Sequence, residues 1–143
     1  MSNLKIAVCT VVGTIGGVIV NLLGGWTTDL ATLVILRVVD FVMGLALAMI
    51  FHNSKKSESG ALSSKACWMG LFKKIATLLF VVMAHRFDML LGVDYIRSAT
   101  IIGFITNESI SILENAGLMG IPLPAVFTKV IDVLKTKSED DEE

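Results

Sequence analysis

Long apolar segments separated by short polar stretches are the main feature of this chain. The first segment, residues 6–28, holds 23 consecutive uncharged residues, which exceeds the roughly 20 needed to cross about 30 Å of hydrocarbon as a helix. Three more segments approach or reach this length: residues 30–51, 72–91 and 95–113. The pattern predicts an all-α membrane protein with about four transmembrane helices within residues 1–119.

The first segment has the position of a secretory signal peptide as well as the length of a span. Its apolar core is longer than the roughly 7–15 residues that a signal peptide uses. No small-residue cleavage site follows it, because Gly24-Gly25-Trp26 is succeeded by two threonines. We therefore interpret residues 6–28 as a span that the protein retains.

The chain after the fourth segment contains two prolines, in the sequence Gly120-Ile121-Pro122-Leu123-Pro124. Proline removes a backbone donor, so a new element must begin after this stretch. Apolar residues then recur at helical spacing, namely Val126, Phe127, Val130, Ile131 and Leu134. We predict a linker and a short amphipathic helix over residues 120–137, at the cytoplasmic interface or against a neighbouring subunit. Residues 138–143 form an acidic tail that we expect to be disordered.

The composition supports a membrane location. Hydrophobic residues make up 54% of the 143 residues and charged residues 17%. This leaves too little polar surface for an ordinary soluble enzyme and too much apolar side chain for a disordered chain. The last five residues hold five of the 13 acidic side chains, so the rest of the chain is net basic although the formal charge is -1. Cys9 and Cys67 are expected to be free thiols.

Basic residues are concentrated on one side of the predicted membrane. Nine of the 12 lysines and arginines would share the side that holds both termini: Lys5, Lys55, Lys56, Lys65, Lys73, Lys74, Lys129, Lys135 and Lys137. The opposite side would hold only Arg86 and Arg97. Because cytoplasmic loops retain lysine and arginine, we predict a multi-pass protein with both termini in the cytoplasm.

Charged side chains within the predicted spans are the main candidates for function, because each is costly in hydrocarbon and normally faces a partner or water. Arg37 and Asp40 are three residues apart, so they share a helix face and are able to pair. Counting about 1.5 Å per residue places both of them and Glu108 in the middle third of the bilayer. We assign these three and Asp88 to an intramembrane charge network. A single subunit neutralises them internally, or they face a subunit interface or a water-filled lesion.

Two kinds of stripe run along the predicted spans. The fourth span carries a polar stripe of Asn107, Glu108, Ser111, Glu114 and Asn115. The first span carries a stripe of small residues spaced by four, Gly13, Gly17, Asn21 and Gly25, and the second repeats the pattern at Gly44 and Ala48. Small residues let helices approach closely, either within one subunit or between subunits.

The sequence offers no motif for catalysis. No nucleophile and base stand at a recognisable spacing, and Gly13, Gly16 and Gly17 lie inside an apolar span, which excludes a phosphate loop. His85 has no second His or Cys nearby and is interpreted as a satisfied or interfacial histidine. We expect no enzyme activity, no cofactor, no metal and no nucleic-acid partner.

Several of these residues together resemble the phage-lysis and toxin-secretion holins, a family of short phage and bacterial membrane proteins. The most specific part is Asn107-Glu108-Ser109-Ile110-Ser111-Ile112-Leu113-Glu114-Asn115, continued by Gly120-Ile121-Pro122-Leu123-Pro124. Weaker matches within residues 31–134 are Asp40 with Gly44 and Ala48, Ser63-Ser64, Gly70, Lys73-Lys74 and Asp88.

The resemblance implies a protein of the bacterial cytoplasmic membrane that accumulates harmlessly and then assembles abruptly, as a homo-oligomer, into a lesion. A cell-wall hydrolase (endolysin) or a toxin would leave through that lesion. Two other classes remain open. A small ion or solute channel or transporter subunit would also use Arg37, Asp40 and Glu108. A membrane anchor for an assembly would bind a soluble partner through the Lys55–Lys74 loop or the C-terminal helix.

Overall fold

The computed structural model describes residues 2–51 and 63–140, and these ranges are helical apart from short turns. The helices are α1 (Asn3–Leu22), α2 (Thr28–Ala46, continued by a π-helical turn at Leu47–Phe51), α3 (Ser64–Leu91), α4 (Ile96–Leu118) and α5 (Ala125–Asp140). The predicted all-α fold with a short C-terminal helix is confirmed. Lys55 and Lys56 of the predicted loop and residues 141–143 of the predicted tail lie outside the described residues.

A glycine turn separates α1 from α2 and makes the first helix end earlier than the predicted span. Helix α1 ends at Leu22, because Gly24 and Gly25 adopt φ angles of 84° and 94°, in the left-handed region that favours glycine. Helix α2 begins at Thr28. Gly25 therefore belongs to the turn and not to the glycine stripe of α1.

Helix α3 begins at Ser64, well before the predicted start of the third span at residue 72. No proline lies between the two positions, so nothing stops the helix there. Lys73 and Lys74, which we expected at the end of the span, therefore lie within α3. The helix ends at Leu91 and is capped by Gly92, whose φ of 70° gives the left-handed C-cap that glycine favours.

Helix α5 also extends beyond its prediction. It continues to Asp140, so residues 138–140 are helical, whereas we expected them in a disordered tail. No proline or glycine interrupts the chain between Ala125 and Asp140, and without such a breaker a helix continues. Before it, α4 reaches Leu118 and is followed by Gly120 with φ of 73°.

Helices α2, α3 and α4 pack together as a three-helix bundle. The start of α2 lies beside the start of α4, since Asp29 Oδ2 is 3.9 Å from Arg97 Nη1. Further along, Asp40 of α2 contacts Asn115 of α4, so these two helices are parallel. Helix α3 runs in the opposite direction, because Asp88 near its end contacts the start of α4.

The core of the bundle is one group of apolar side chains from all three helices and the glycine turn. We refer to it as the apolar layer: Leu23, Leu30, Leu33, Val81, Ile101 and Ile105. Four of the six have no exposed surface, namely Leu30, Leu33, Val81 and Ile101. Because lipid tails are as apolar as leucine, such a layer is stabilised in a membrane by close packing more than by exclusion of water.

Three helices of the described chain are long and apolar enough to cross a membrane: α1, α2 with its π-helical turn, and α3. The chain is therefore a multi-pass membrane protein. Helix α4 has 23 residues, which also suffice in length for about 30 Å. Its composition is more polar because it carries Glu108 and Asn115, which contact α3 and α2 inside the bundle.

Helices α1 and α5 contribute little to the core. No residue of α1 is buried. Of the described side chains of α5, Ile131 alone is buried, while Val126 and Phe127 are more than half exposed. Both helices therefore present apolar surface that the bundle does not cover.

Candidate functional site

The ammonium group of Lys74 lies between two buried carboxylates. Its Nζ atom is 2.8 Å from Oδ2 of Asp40 on α2, and it also donates a hydrogen bond to Oε2 of Glu108 on α4. The side chains of Asp40 and Glu108 are 2% and 8% exposed. One cation of α3 therefore connects α3 to both other helices of the bundle.

Arg37 supplies a second cation to the same place. Its Nε atom is 3.4 Å from Oε1 of Glu108, and its Nη1 donates a hydrogen bond to the carbonyl oxygen of Lys74. The guanidinium carbon lies 5.5 Å from the ring centroid of Phe104, within the range of a cation–π contact. In the described part of the chain, the ionic partner of Arg37 is Glu108. Asp40, which the three-residue spacing makes able to pair with Arg37, is not its partner.

Asn115 occupies the remaining oxygen of Asp40. Its Nδ2 atom donates a hydrogen bond to Asp40 Oδ1 over 2.9 Å. We refer to Arg37, Asp40, Lys74, Glu108 and Asn115 as the ion-pair network. Two cations face two anions, so the network has no formal net charge. Short contacts and additional hydrogen bonds of this kind offset the free-energy cost of desolvating buried ion pairs.

The structure thus brings together three of the predicted charges and adds Lys74, which the sequence interpretation places among the cytoplasmic lysines. Lys74 lies within α3, inside the bundle, and not in a loop. The helical period contains the missing signal, since Lys74 lies seven residues before Val81 and fourteen before Asp88, and both of these are buried. The three residues share one face of α3, whereas Lys73 is off that face and exposed.

The predicted polar stripe of α4 divides into a buried and an exposed part. Glu108 and Asn115 are buried in the ion-pair network, and Ser111 is half-buried. Asn107 and Glu114 are exposed. A single subunit therefore covers only one side of this stripe, and two polar side chains still face outward.

Asp88 lies outside the ion-pair network, contrary to our assignment. Its Oδ1 and Oδ2 atoms accept hydrogen bonds from the backbone N–H groups of Ile96 and Arg97, each over 2.9 Å. The carboxylate therefore caps the start of α4, where a negative charge also suits the helix dipole. Because Asp88 is fourteen residues from Lys74, it lies about 21 Å further along α3.

Arg97 joins the glycine turn to α4. Its guanidinium donates hydrogen bonds to the carbonyl oxygens of Leu23 and Gly25, the latter over 3.1 Å, and to Thr27 Oγ1 over 3.0 Å. From the sequence we expected Arg97 only as a basic residue on the side opposite the termini. We refer to Asp88, Arg97 and these groups of the turn as the capping cluster.

Gly24 allows this close contact. A Cβ atom at Gly24 would lie 2.8 Å from both Arg97 Nε and His85 Nδ1, which is nearer than non-bonded heavy atoms pack. His85 of α3 therefore lies against the turn that connects α1 to the bundle. A glycine is required here for its space as well as for its positive φ.

The two small-residue stripes have different surroundings. At Gly13 and Gly17 an added Cβ would meet nothing within 4 Å, so no described residue packs against this face of α1. In contrast, Ala48 is buried and Gly44 is half-buried. The stripe of α2 is therefore covered within the subunit, and the stripe of α1 is open.

Comparison with known proteins places these features in a family. Residues 17–136 match the bacteriophage holin family. A protein of Bacillus phage phi105 named probable holin is 27% identical over 108 residues, which cover 75% of this chain and 74% of that protein. An uncharacterised protein of Listeria monocytogenes is 39% identical over 112 residues, 78% of this chain and 74% of its own. One of Clostridium perfringens is 28% identical over 137 residues, 93% and 96% of the two chains. No solved structure matches the chain.

Proposed function

The chain belongs to the bacteriophage holin family, a family of non-enzymatic membrane proteins, and on this premise we propose that it forms a timed lesion in the bacterial cytoplasmic membrane. Copies accumulate in the bilayer, assemble as a homo-oligomer and release a cell-wall hydrolase or a toxin. The cell then lyses. The observation that carries the proposal is the open face of α1 at Gly13 and Gly17.

The ion-pair network supports the harmless phase of accumulation. A lone subunit with Glu108 exposed to lipid would be unfavourable. In this fold Lys74 and Arg37 compensate Glu108 and Asp40 inside one subunit. A single copy can therefore reside in the bilayer with most of its buried charge paired.

The surface of α1 supports the assembly phase. Helix α1 carries no charge from Ile6 to Leu22, and none of its residues is buried in its own subunit. Glycines on such a surface let a second helix approach closely and pack by van der Waals contact. As copies accumulate, mass action favours the assembly over the single subunit. A concentration threshold of this kind provides a delay before permeabilisation.

The exposed lysines support the orientation that we propose. Lys5, Lys65, Lys73 and Lys129 are exposed, and none of them belongs to the capping cluster. We therefore keep both termini in the cytoplasm, with α4 as a fourth span and the capping cluster at the opposite face. Cysteines that replace Val93 and Thr136 should then be labelled from opposite sides of the membrane. Labelling of both from one side would contradict this topology.

The test of the function is induced expression in a bacterium, with membrane potential and release of a co-expressed, signal-less hydrolase followed together. We expect unaffected growth for an interval, then a sudden loss of potential, and lysis only when the hydrolase is present. A graded, ion-selective leak from the start, with the hydrolase retained, would favour a channel. Capture of a soluble partner without any loss of potential would favour an anchor.

A further inference from the structure

A cavity of about 340 Å³ lies beside the ion-pair network, between α2, α3 and α4. Its walls combine charged, hydroxyl and small side chains: Asp40, Ala66, Met69, Gly70, Lys73, Lys74, Glu108 and Ser111. A water molecule takes about 30 Å³ of liquid volume, so a cavity of this size has room for about ten. Four of its side chains carry formal charges, which is unlike the dry, apolar voids that stay empty.

The cavity extends from the network towards one end of the bundle. Ala66 and Met69 lie within the first two turns of α3, which begins at Ser64. Lys73, between them and the network, is exposed. Towards the start of α4, Glu108 is preceded by Ile105 and Ile101 of the apolar layer. The cavity therefore connects the start of α3 with the buried charges, and the apolar layer separates it from the capping cluster.

The buried guanidinium of Arg37 is incompletely paired by protein. Its Nε and Nη2 atoms are buried, and no described protein atom accepts a hydrogen bond from either. The side chain is only 8% exposed. An unpaired buried donor costs about 1–3 kcal/mol, and more when it belongs to a charged group. Arg37 does not itself line the cavity. It adjoins the cavity wall through Glu108, whose Oε1 is 3.4 Å from Nε.

We propose that this cavity is a water-filled vestibule that opens only at the face of the membrane where α3 begins. Water enters past Lys73, solvates the ion-pair network, and is stopped by the apolar layer. Such a layer excludes water by dewetting, as apolar constrictions do in channels. The network thus communicates with one aqueous compartment while the subunit remains impermeable. This proposal concerns a single folded subunit and does not rest on the lesion.

The test uses the full chain with Cys9→Ala and Cys67→Ala, and a single new cysteine in the cavity wall, Ser111→Cys. The probe is a methanethiosulfonate that carries a trimethylammonium group, which does not cross membranes and reacts with the thiolate that forms in water. Inverted and right-side-out vesicles that still hold a membrane potential are labelled separately, so that no lesion admits the probe. Lys65→Cys marks the face where α3 begins, and Tyr95→Cys marks the opposite face.

Ser111→Cys should react only from the side from which Lys65→Cys reacts. The matched control is Ser109→Cys, on the same helix but not in the cavity wall, and it should react at least about tenfold more slowly because a thiol in lipid stays protonated. Gly70→Cys provides a second wall position where an added Cβ meets nothing within 4 Å, so it tests the proposal if Ser111→Cys fails to fold. Reaction of either from the Tyr95 side, or with a lipid-soluble maleimide alone, would overturn the vestibule.

Discussion

Helix α1 and the α2–α4 bundle carry very different side chains. Between Ile6 and Leu22, α1 has no charged residue, and none of its residues is buried. The bundle holds Arg37, Lys74 and Glu108 in its interior, all less than one-fifth exposed. The bundle therefore depends on specific partners within the subunit, whereas α1 needs none to be stable in lipid. Substitutions in the bundle should change folding, and substitutions on α1 should change assembly.

The comparison also changes which force is expected to drive assembly. The sequence suggests that Glu108 and Asn107 would be removed from lipid when subunits associate. The structure buries Glu108 in its own subunit and leaves Asn107 exposed. In the assembly that we propose, removal of the Glu108 carboxylate from lipid is therefore not the expected driving force. We expect close helix contact on the open face of α1 instead.

The largest effect is expected from removal of Lys74. In Lys74→Met, Asp40 and Glu108 lose the ammonium that lies between them, and an uncompensated buried charge costs about 3–5 kcal/mol. The matched control is Lys73→Met, because Lys73 is the exposed neighbour and its loss should stay within about 0.5 kcal/mol. Thermal unfolding of both variants in detergent, followed by far-UV circular dichroism, measures the difference. Equal stability of the two variants would show that the contacts of Lys74 with Asp40 and Glu108 do not stabilise the subunit.

A smaller, diagnostic effect is expected from the pair Arg37 and Glu108. Arg37→Gln leaves the network one negative charge in excess, and Glu108→Gln leaves it one positive charge in excess, so each should destabilise the subunit. The double variant retains the neutral pair of Lys74 with Asp40, so it should recover about 0.5–3 kcal/mol relative to the sum of the single changes.

The control for this cycle replaces the exposed Glu114. Arg37→Gln combined with Glu114→Gln should be additive within about 0.5 kcal/mol, as distant sites are. The same unfolding measurement serves both cycles. Additive losses for Arg37 and Glu108 as well would show that their 3.4 Å approach contributes nothing to stability.

The glycine turn that joins the two regions is tested by the difference between two matched substitutions, expected at about 1–3 kcal/mol. Gly24→Ala and Gly25→Ala both place a side chain at a positive φ, which should lower the free energy of unfolding by about 1–2 kcal/mol each. Only at Gly24 does the new Cβ also meet Arg97 and His85 at 2.8 Å, which adds about 1–3 kcal/mol of overpacking. Gly24→Ala should therefore unfold at lower temperature than Gly25→Ala. The reverse order would mean that Arg97 moves away from the turn without loss.

Much of this architecture follows from the sequence because hydrophobic length and helical period are local properties. The uncharged run of residues 6–28 is enough to predict a first span. The predicted depth of Glu108 in the fourth span is enough to make it a candidate functional residue. The partner of Glu108 is a different matter, since it depends on how α2 and α3 pack against α4. The sequence alone favours a position outside the membrane for Lys74, because a lysine near a span end usually lies there. Only its helical register with Asp88 indicates that it faces inward.

The subunit itself should be least affected by changes on α1, where assembly is the readout. Gly17→Leu and Gly16→Leu fill two adjacent positions that both have open space within 4 Å, and both gain about the same helix propensity. Only Gly17 lies on the stripe with Gly13, so Gly17→Leu alone should block close contact between copies. We expect unfolding temperatures that match, but a longer interval between induction and loss of membrane potential for Gly17→Leu. Equal intervals for the two variants would show that assembly uses another surface than this face of α1.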